Sequence, residues 1–247
     1  MALLRMERSR GMRQKYYQML VDEEKKTAEI LIYGDITSWE WYESDVSSYT
    51  LTKELQSLPK EIEQIKVYIN SYGGEVAEGL AIYNELKRHE AKVTTYCDGF
   101  AASIASVIFM AGDERIMNNA SLLFIHNAWS YCSGNSNDLK KAAEDLEKIT
   151  QASVNAYLEK VGVSEEKLKE LMDAETWLSP MECLDMGFCT TIEGSSESDK
   201  ATQSVRKAMF EKLTSRKEPE QKVPEEPERP KEPEQKSNFM LKILEKL

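Results

Sequence analysis

Strand-like and helix-like apolar runs alternate along residues 27–192, with one strand following the last at intervals of about 30 residues. Ala28–Gly34 is a strand closed by glycine, and residues 45–57 carry helical spacing at Val46, Tyr49, Leu51 and Leu55 before Pro59. Ile65–Asn70 alternates as a strand and runs into Ser71-Tyr-Gly-Gly74. Residues 75–89 then gather Val76, Leu80, Ile82, Tyr83 and Leu86 on one helical side. Val93–Cys97 is the next strand, residues 103–111 form an apolar helix that must be buried all round, and Leu122–His126 is a further strand. A long helix is predicted from Asp138 to about Val161, with Asp138 as its N-cap. Shorter helices open at Ser164 and Ser179, the last ending at Gly187. Repeated strand–helix–strand order of this kind is built by right-handed β-α crossovers, so the fold class is α/β.

The flanking segments read differently. Residues 1–26, with Arg5, Arg8, Arg10 and Arg13, are polar and basic and are expected to form an N-terminal arm. From 193 to 237 the apolar periodicity stops, and Lys217-Glu-Pro-Glu-Gln-Lys222 recurs word for word at Lys231–Lys236. That composition predicts an extended, self-repelling acidic linker. Residues 238–247 return to amphipathic spacing, as a short helix expected to need a docking partner.

Charge and cysteine usage narrow the function classes. A net charge of −11 argues against nucleic-acid binding. Cys97, Cys132, Cys183 and Cys189 lack metal-ligand spacing and there are only two histidines, so no metal and no cofactor are expected. No apolar run approaches the roughly 18 residues of a membrane span, and no apolar stretch follows the N-terminal charges. A cytoplasmic protein with no membrane partner is the expectation.

Three short stretches carry chemistry. In Gly99-Phe-Ala-Ala-Ser103-Ile-Ala-Ser106 a serine sits where a strand gives way to an apolar helix, and Leu122-Leu-Phe-Ile-His126 ends a strand on an imidazole. An exposed serine hydroxyl at a helix start and a histidine on a rigid neighbour are the ingredients of nucleophilic acyl transfer. Ser71-Tyr-Gly-Gly74 lies between a strand and a helix, where successive glycines can turn N–H groups toward an oxyanion. A carboxylate must orient the imidazole, and Asp173 and Glu175 are both open as that residue. His89, at a helix end beside Lys87 and Arg88, is assigned no chemistry.

Taken in order, Ile69-Asn-Ser-Tyr-Gly-Gly74, Gly99-Phe-Ala-Ala-Ser103, Phe124-Ile-His126 and Glu175-Thr-Trp-Leu-Ser179-Pro-Met-Glu182 resemble the Clp protease family of serine peptidases, over roughly residues 27–192. The resemblance implies the Clp protease/crotonase-type fold of repeated β-β-α units with a protruding handle helix, here residues 138–161. It implies Ser103 as nucleophile, His126 as general base, and an oxyanion hole from Ile104 with Gly73 mainly and Gly74 beside it. The family's third member is an aspartate; alignment puts Glu175 there, with Asp173 as the alternate. The family further implies stacked homo-oligomeric rings closed around a protein or peptide substrate, and it leaves open whether an AAA+ unfoldase serves this chain. Tyr72 in place of a proline, the unmatched N-terminal arm and the Pro/Glu tail resemble the phage and prophage branch, whose members act in capsid (prohead) maturation. Two alternatives from other classes are a catalytically silent scaffold and a crotonase-type acyl-CoA-binding protein.

Overall fold

The computed structural model describes residues 17–40 and 45–194. The expected arm up to residue 16, the linker beyond residue 194 and the helix at 238–247 lie outside the described residues.

Among the described residues eight strands form one sheet: β1 (Tyr17–Asp22), β2 (Thr27–Ile32), β3 (Gln64–Ser71), β4 (Lys92–Ala102), β5 (Glu114–Asn118), β6 (Leu122–Ile125), β7 (Thr176–Leu178) and β8 (Thr191–Glu193). The main path runs β1-β2-β3-β4-β5-β8, parallel from β2 onward, with β1 antiparallel at its edge. Six helices connect and cover it: α1 (Ser48–Ser57), α2 (Val76–Arg88), α3 (Ile104–Phe109), α4 (Ser136–Leu158), α5 (Glu165–Asp173) and α6 (Pro180–Met186). The buried Ile and Val of β2 and β3 alternate with part-exposed residues such as Glu29, Lys66 and Tyr68, so one face of these strands packs into the core and the other is partly open to water. This is the α/β class expected from the alternation.

The feature that positions the site is a fork in β4. Its first half, Thr94–Cys97, pairs with β5, and its last residues, Phe100–Ala102, pair with β6. The register against β3 shifts between Ile69 and Ser71, and Asn70 Oδ1 fills the gap by accepting the Phe100 N–H at 3.1 Å. β6 then carries β7 on its other side, antiparallel, so a small ledge of strands leaves the main sheet beyond the fork.

Several local expectations are corrected. The arm does not extend to residue 26, because residues 17–22 pair along the whole of β2. Leu20 and Val21 stay exposed on that edge strand, so no buried alternation marked it. β5 escaped notice because an arginine takes one of its two inward positions, the other being Met117. Arg115, only 5% exposed, donates to the carbonyls of Phe188, Gly112 and Gly187 and ties β5 to the end of α6. β7 and β8 are three residues each, too short to show a period. The N-cap of α4 is Asn135 rather than Asp138; Asp138 is the returning partner of a capping box.

Arg115→Leu strips two buried carbonyls and a part-buried one of their donor, and should lower the melting temperature by roughly 10 °C. Removing the exposed Lys92–Glu114 ion pair by Lys92→Ala should leave it unchanged, which differential scanning calorimetry can check.

Candidate active site

Ser103 and His126 meet because of the β4–β6 register. Ala102 pairs with Phe124, so the next residue of one strand and the second next of the other project from the same end of the ledge. The Ser103 N–H donates to the Phe124 carbonyl at 2.9 Å, and His126 Nε2 lies 2.7 Å from Ser103 Oγ. Ser103 itself takes φ 55 and ψ −129, a conformation that L-residues rarely adopt, between the last residue of β4 and the first of α3. The sharp strand-to-helix turn lifts the hydroxyl out of the sheet toward the base, as in a nucleophile elbow.

The imidazole is held from the side by an aromatic ladder. Phe124 stacks on His126 with centroids 5.2 Å apart, Trp177 stacks on Phe124 at 4.6 Å, and Phe100 packs on Trp177 at 5.2 Å. Desolvation in this setting lowers the His126 pKa below its ordinary 6.5, against a smaller opposing pull from the charge of Glu175. The ring is therefore neutral near pH 7, the form that can accept a proton.

The two carboxylates after α5 part company. Asp173 accepts a hydrogen bond from Asn127 Nδ2 at 2.7 Å, which turns it toward the residue after the histidine. Glu175, exposed and held at φ 50 just past the helix end, acts on His126 through its charge. Among the described residues no hydrogen bond joins Glu175 to the ring.

The Gly-Gly turn lies against the serine. A Cβ on Gly73 would stand 2.8 Å from Ser103 Cβ, and one on Gly74 would stand 2.0 Å from the Ile36 carbonyl oxygen, so only glycines fit between these two neighbours. The hydrogen bonds distinguish the two glycine amides. The Gly73 N–H donates to Ser71 Oγ at 3.0 Å, and Ser71 Oγ in turn donates to the Gly34 carbonyl. The Gly73 carbonyl accepts from the Ile36 N–H at 3.0 Å. In a planar trans peptide the N–H of the next residue points opposite to that carbonyl, so the Gly74 N–H faces away from Ile36. Gly73 contributes close approach with its N–H engaged inside the turn, while the Gly74 N–H faces away from Ile36. Ile104 opens α3 directly after the elbow, so its N–H is not used by a preceding helical turn.

A cavity of about 560 Å³ opens over Gly73, Gly74, Ser103 and His126, walled by Tyr72 and Trp129. Both aromatics are largely exposed; Tyr72 was noted from sequence only as a replacement for proline, and no role was assigned there to Trp129 or to the ladder of Phe100, Phe124 and Trp177. Exposed rings flanking the two motifs were the available signal. A larger cavity of about 640 Å³, between Pro59 and His89, holds no nucleophile beside a base. His89 there accepts a local hydrogen bond from the Ala91 N–H at 3.1 Å. Chemistry rather than size selects the site.

Comparison with known proteins agrees with this geometry. Residues 14–196 match the Clp protease family. A relative from Deinococcus radiodurans, an ATP-dependent Clp protease proteolytic subunit, is 37% identical over 132 residues, which is 53% of this chain and 65% of that protein. The chain thus matches just under two thirds of the length of this curated relative. With the family match spanning the whole sheet, the fork of β4 and both motif-bearing strand ends, the chain belongs to the Clp protease family.

Proposed function

We propose that the chain is a serine endopeptidase that hydrolyses peptide bonds inside a ring-shaped assembly of its own copies. One observation carries the reading: a serine hydroxyl at a strained strand-to-helix elbow, 2.7 Å from the Nε2 of a histidine, with glycine backbone packed against it. In this mechanism His126 Nε2 takes the proton as Ser103 Oγ attacks the scissile carbonyl. The negative oxygen that develops is met by the N–H groups of Ile104 and Gly74. His126 then passes its proton to the leaving amine, and water resolves the acyl-enzyme by the same steps reversed. The Glu175 charge favours the transient imidazolium without needing to touch it, and Asp173 keeps Asn127 and the segment after His126 in place.

The assembly part of the reading is supported by α4. It is 23 residues long, yet its buried residues are confined to Val154, Ala156 and Tyr157 near the end, while Leu139 and Ile149 stay exposed. A handle helix of this kind can cover its apolar residues against another copy, and stacked rings would keep Ser103 from general digestion of cell protein. The finer role we propose is that of the phage and prophage branch, with a capsid or scaffold protein as substrate, on the strength of Tyr72 in the turn and the Pro/Glu repeat. The relative's name carries ATP dependence, and we propose no fixed unfoldase for this chain. A silent scaffold is the second reading, favoured by the lack of a described hydrogen bond between Glu175 and His126.

A fluorophosphonate should label the purified protein once, at Ser103 by peptide mass, and Ser103→Ala should abolish labelling and lower kcat by at least about a thousandfold. An unlabelled protein without peptidase activity would support the scaffold.

The rate should rise with pH as His126 loses its proton, with a midpoint below 6.5. Glu175→Gln removes the charge that raises this pKa, so its midpoint should move lower still while kcat falls. Asp173→Asn should leave the midpoint where it is. A midpoint that moves with Asp173 and not with Glu175 would exchange their roles.

A further inference from the structure

The Ser103–Ile104 peptide has an N–H at one end that the proposed mechanism sets against the oxyanion. Its other end, the Ser103 carbonyl, is gripped twice from below. The Ser106 N–H donates to it at 3.0 Å, and the Ser106 hydroxyl donates to it at 2.5 Å. Ser106 is fully buried, and its Oγ also lies 2.6 Å from the hydroxyl of Tyr157. A serine has one O–H to give. Since that proton goes to the Ser103 carbonyl, the Ser106 oxygen accepts in its second contact and Tyr157 donates. Tyr157 stands at the inner end of α4, 2% exposed, with its ring edge-on to Phe188 at 5.7 Å. Burial pushes its pKa well above the ordinary 10, so the donor keeps its proton at any working pH.

We infer that Tyr157 and Ser106 are positioning residues of the active site, a directed hydroxyl chain that fixes the plane of the Ser103–Ile104 peptide and thereby aims the Ile104 N–H. The inference rests on the reading of Ser103 as nucleophile and deepens it. Two physical effects follow from the same contacts. A planar trans peptide with its carbonyl anchored in the core must point its N–H the other way, toward the open side of the elbow. Hydrogen bonds accepted by an amide carbonyl also polarise its N–H, which strengthens the donor that meets the oxyanion. The outward N–H of Gly74 is set by the same device, its peptide partner's carbonyl being held by Ile36. Packing alone does not call for the pair. Alanine and phenylalanine would fill the same buried space with no polar group to satisfy.

The test compares Ser106→Ala, Tyr157→Phe and the double variant with wild type, using a fluorogenic peptide and a peptide aldehyde whose adduct carries the oxyanion. Each single variant should lower kcat by about tenfold with KM nearly unchanged, a fraction of the loss seen when an oxyanion donor is removed outright. Aldehyde affinity should fall by the same factor, and the acid-limb midpoint should not move. Because Tyr157 acts only through Ser106, the double variant should be no worse than Ser106→Ala. Full activity and full aldehyde affinity in Tyr157→Phe would overturn the inference, as would losses that add or that appear in KM alone. Wild type is labelled with the phosphonate in parallel. A wild type not labelled at Ser103 fails the nucleophile reading, whereas a labelled wild type beside indifferent variants fails only the hydroxyl chain.

Discussion

The planarity of two peptide bonds is the constraint on which the rest of the site depends. In each case a carbonyl is tied down on one side, and the amide of the following residue is thereby turned to the other. The Gly73 carbonyl is tied to Ile36 and turns out Gly74, and the Ser103 carbonyl is tied to Ser106 and turns out Ile104. A donor aimed this way needs no rearrangement when charge develops, which is what makes preorganised amides effective against an oxyanion. The cost is local strain, visible as the left-handed φ of Ser103 and as two glycines with no room for a side chain.

The fold supplies the anchors from distant parts of the chain. Ile36 follows β2 and also bridges to Val46, so the first crossover clamps the glycine turn from one side. The fork of β4 lets one strand serve both the main sheet and the β6 ledge, which brings the elbow within reach of the histidine. α3 is buried on every side, so the elbow rests on a rigid plug. From α4 comes a tyrosine in the buried last turns of a helix whose first half is exposed, linking a solvent-facing element to the buried foot of the site.

Much of this was legible in the sequence, for identifiable reasons. The parallel core strands were visible because apolar residues recur at their buried positions, and the serine and histidine motifs because each ends such a strand. β5 was not legible because its inward Arg115 is satisfied by backbone carbonyls of residues far along the chain, which mimics a polar loop. The different hydrogen bonding of Gly73 and Gly74 was hidden for a related reason. Both glycines fit the turn, and Ser71 and Ile36, whose contacts no local pattern announces, engage the N–H and the carbonyl of Gly73. Asp173 and Glu175 are near neighbours of like chemistry that only the alignment had ranked, and in the structure Asp173 is engaged by Asn127 while Glu175 acts on His126 through its charge.

A crystal structure of the protein carrying a peptide phosphonate or boronate on Ser103 is the most direct test. The account predicts an adduct oxygen about 2.7–3.1 Å from the N–H groups of both Ile104 and Gly74, with the Gly73 N–H still on Ser71 Oγ. An adduct oxygen bound to the Gly73 amide, or turned to solvent with Ile104 unengaged, would contradict it.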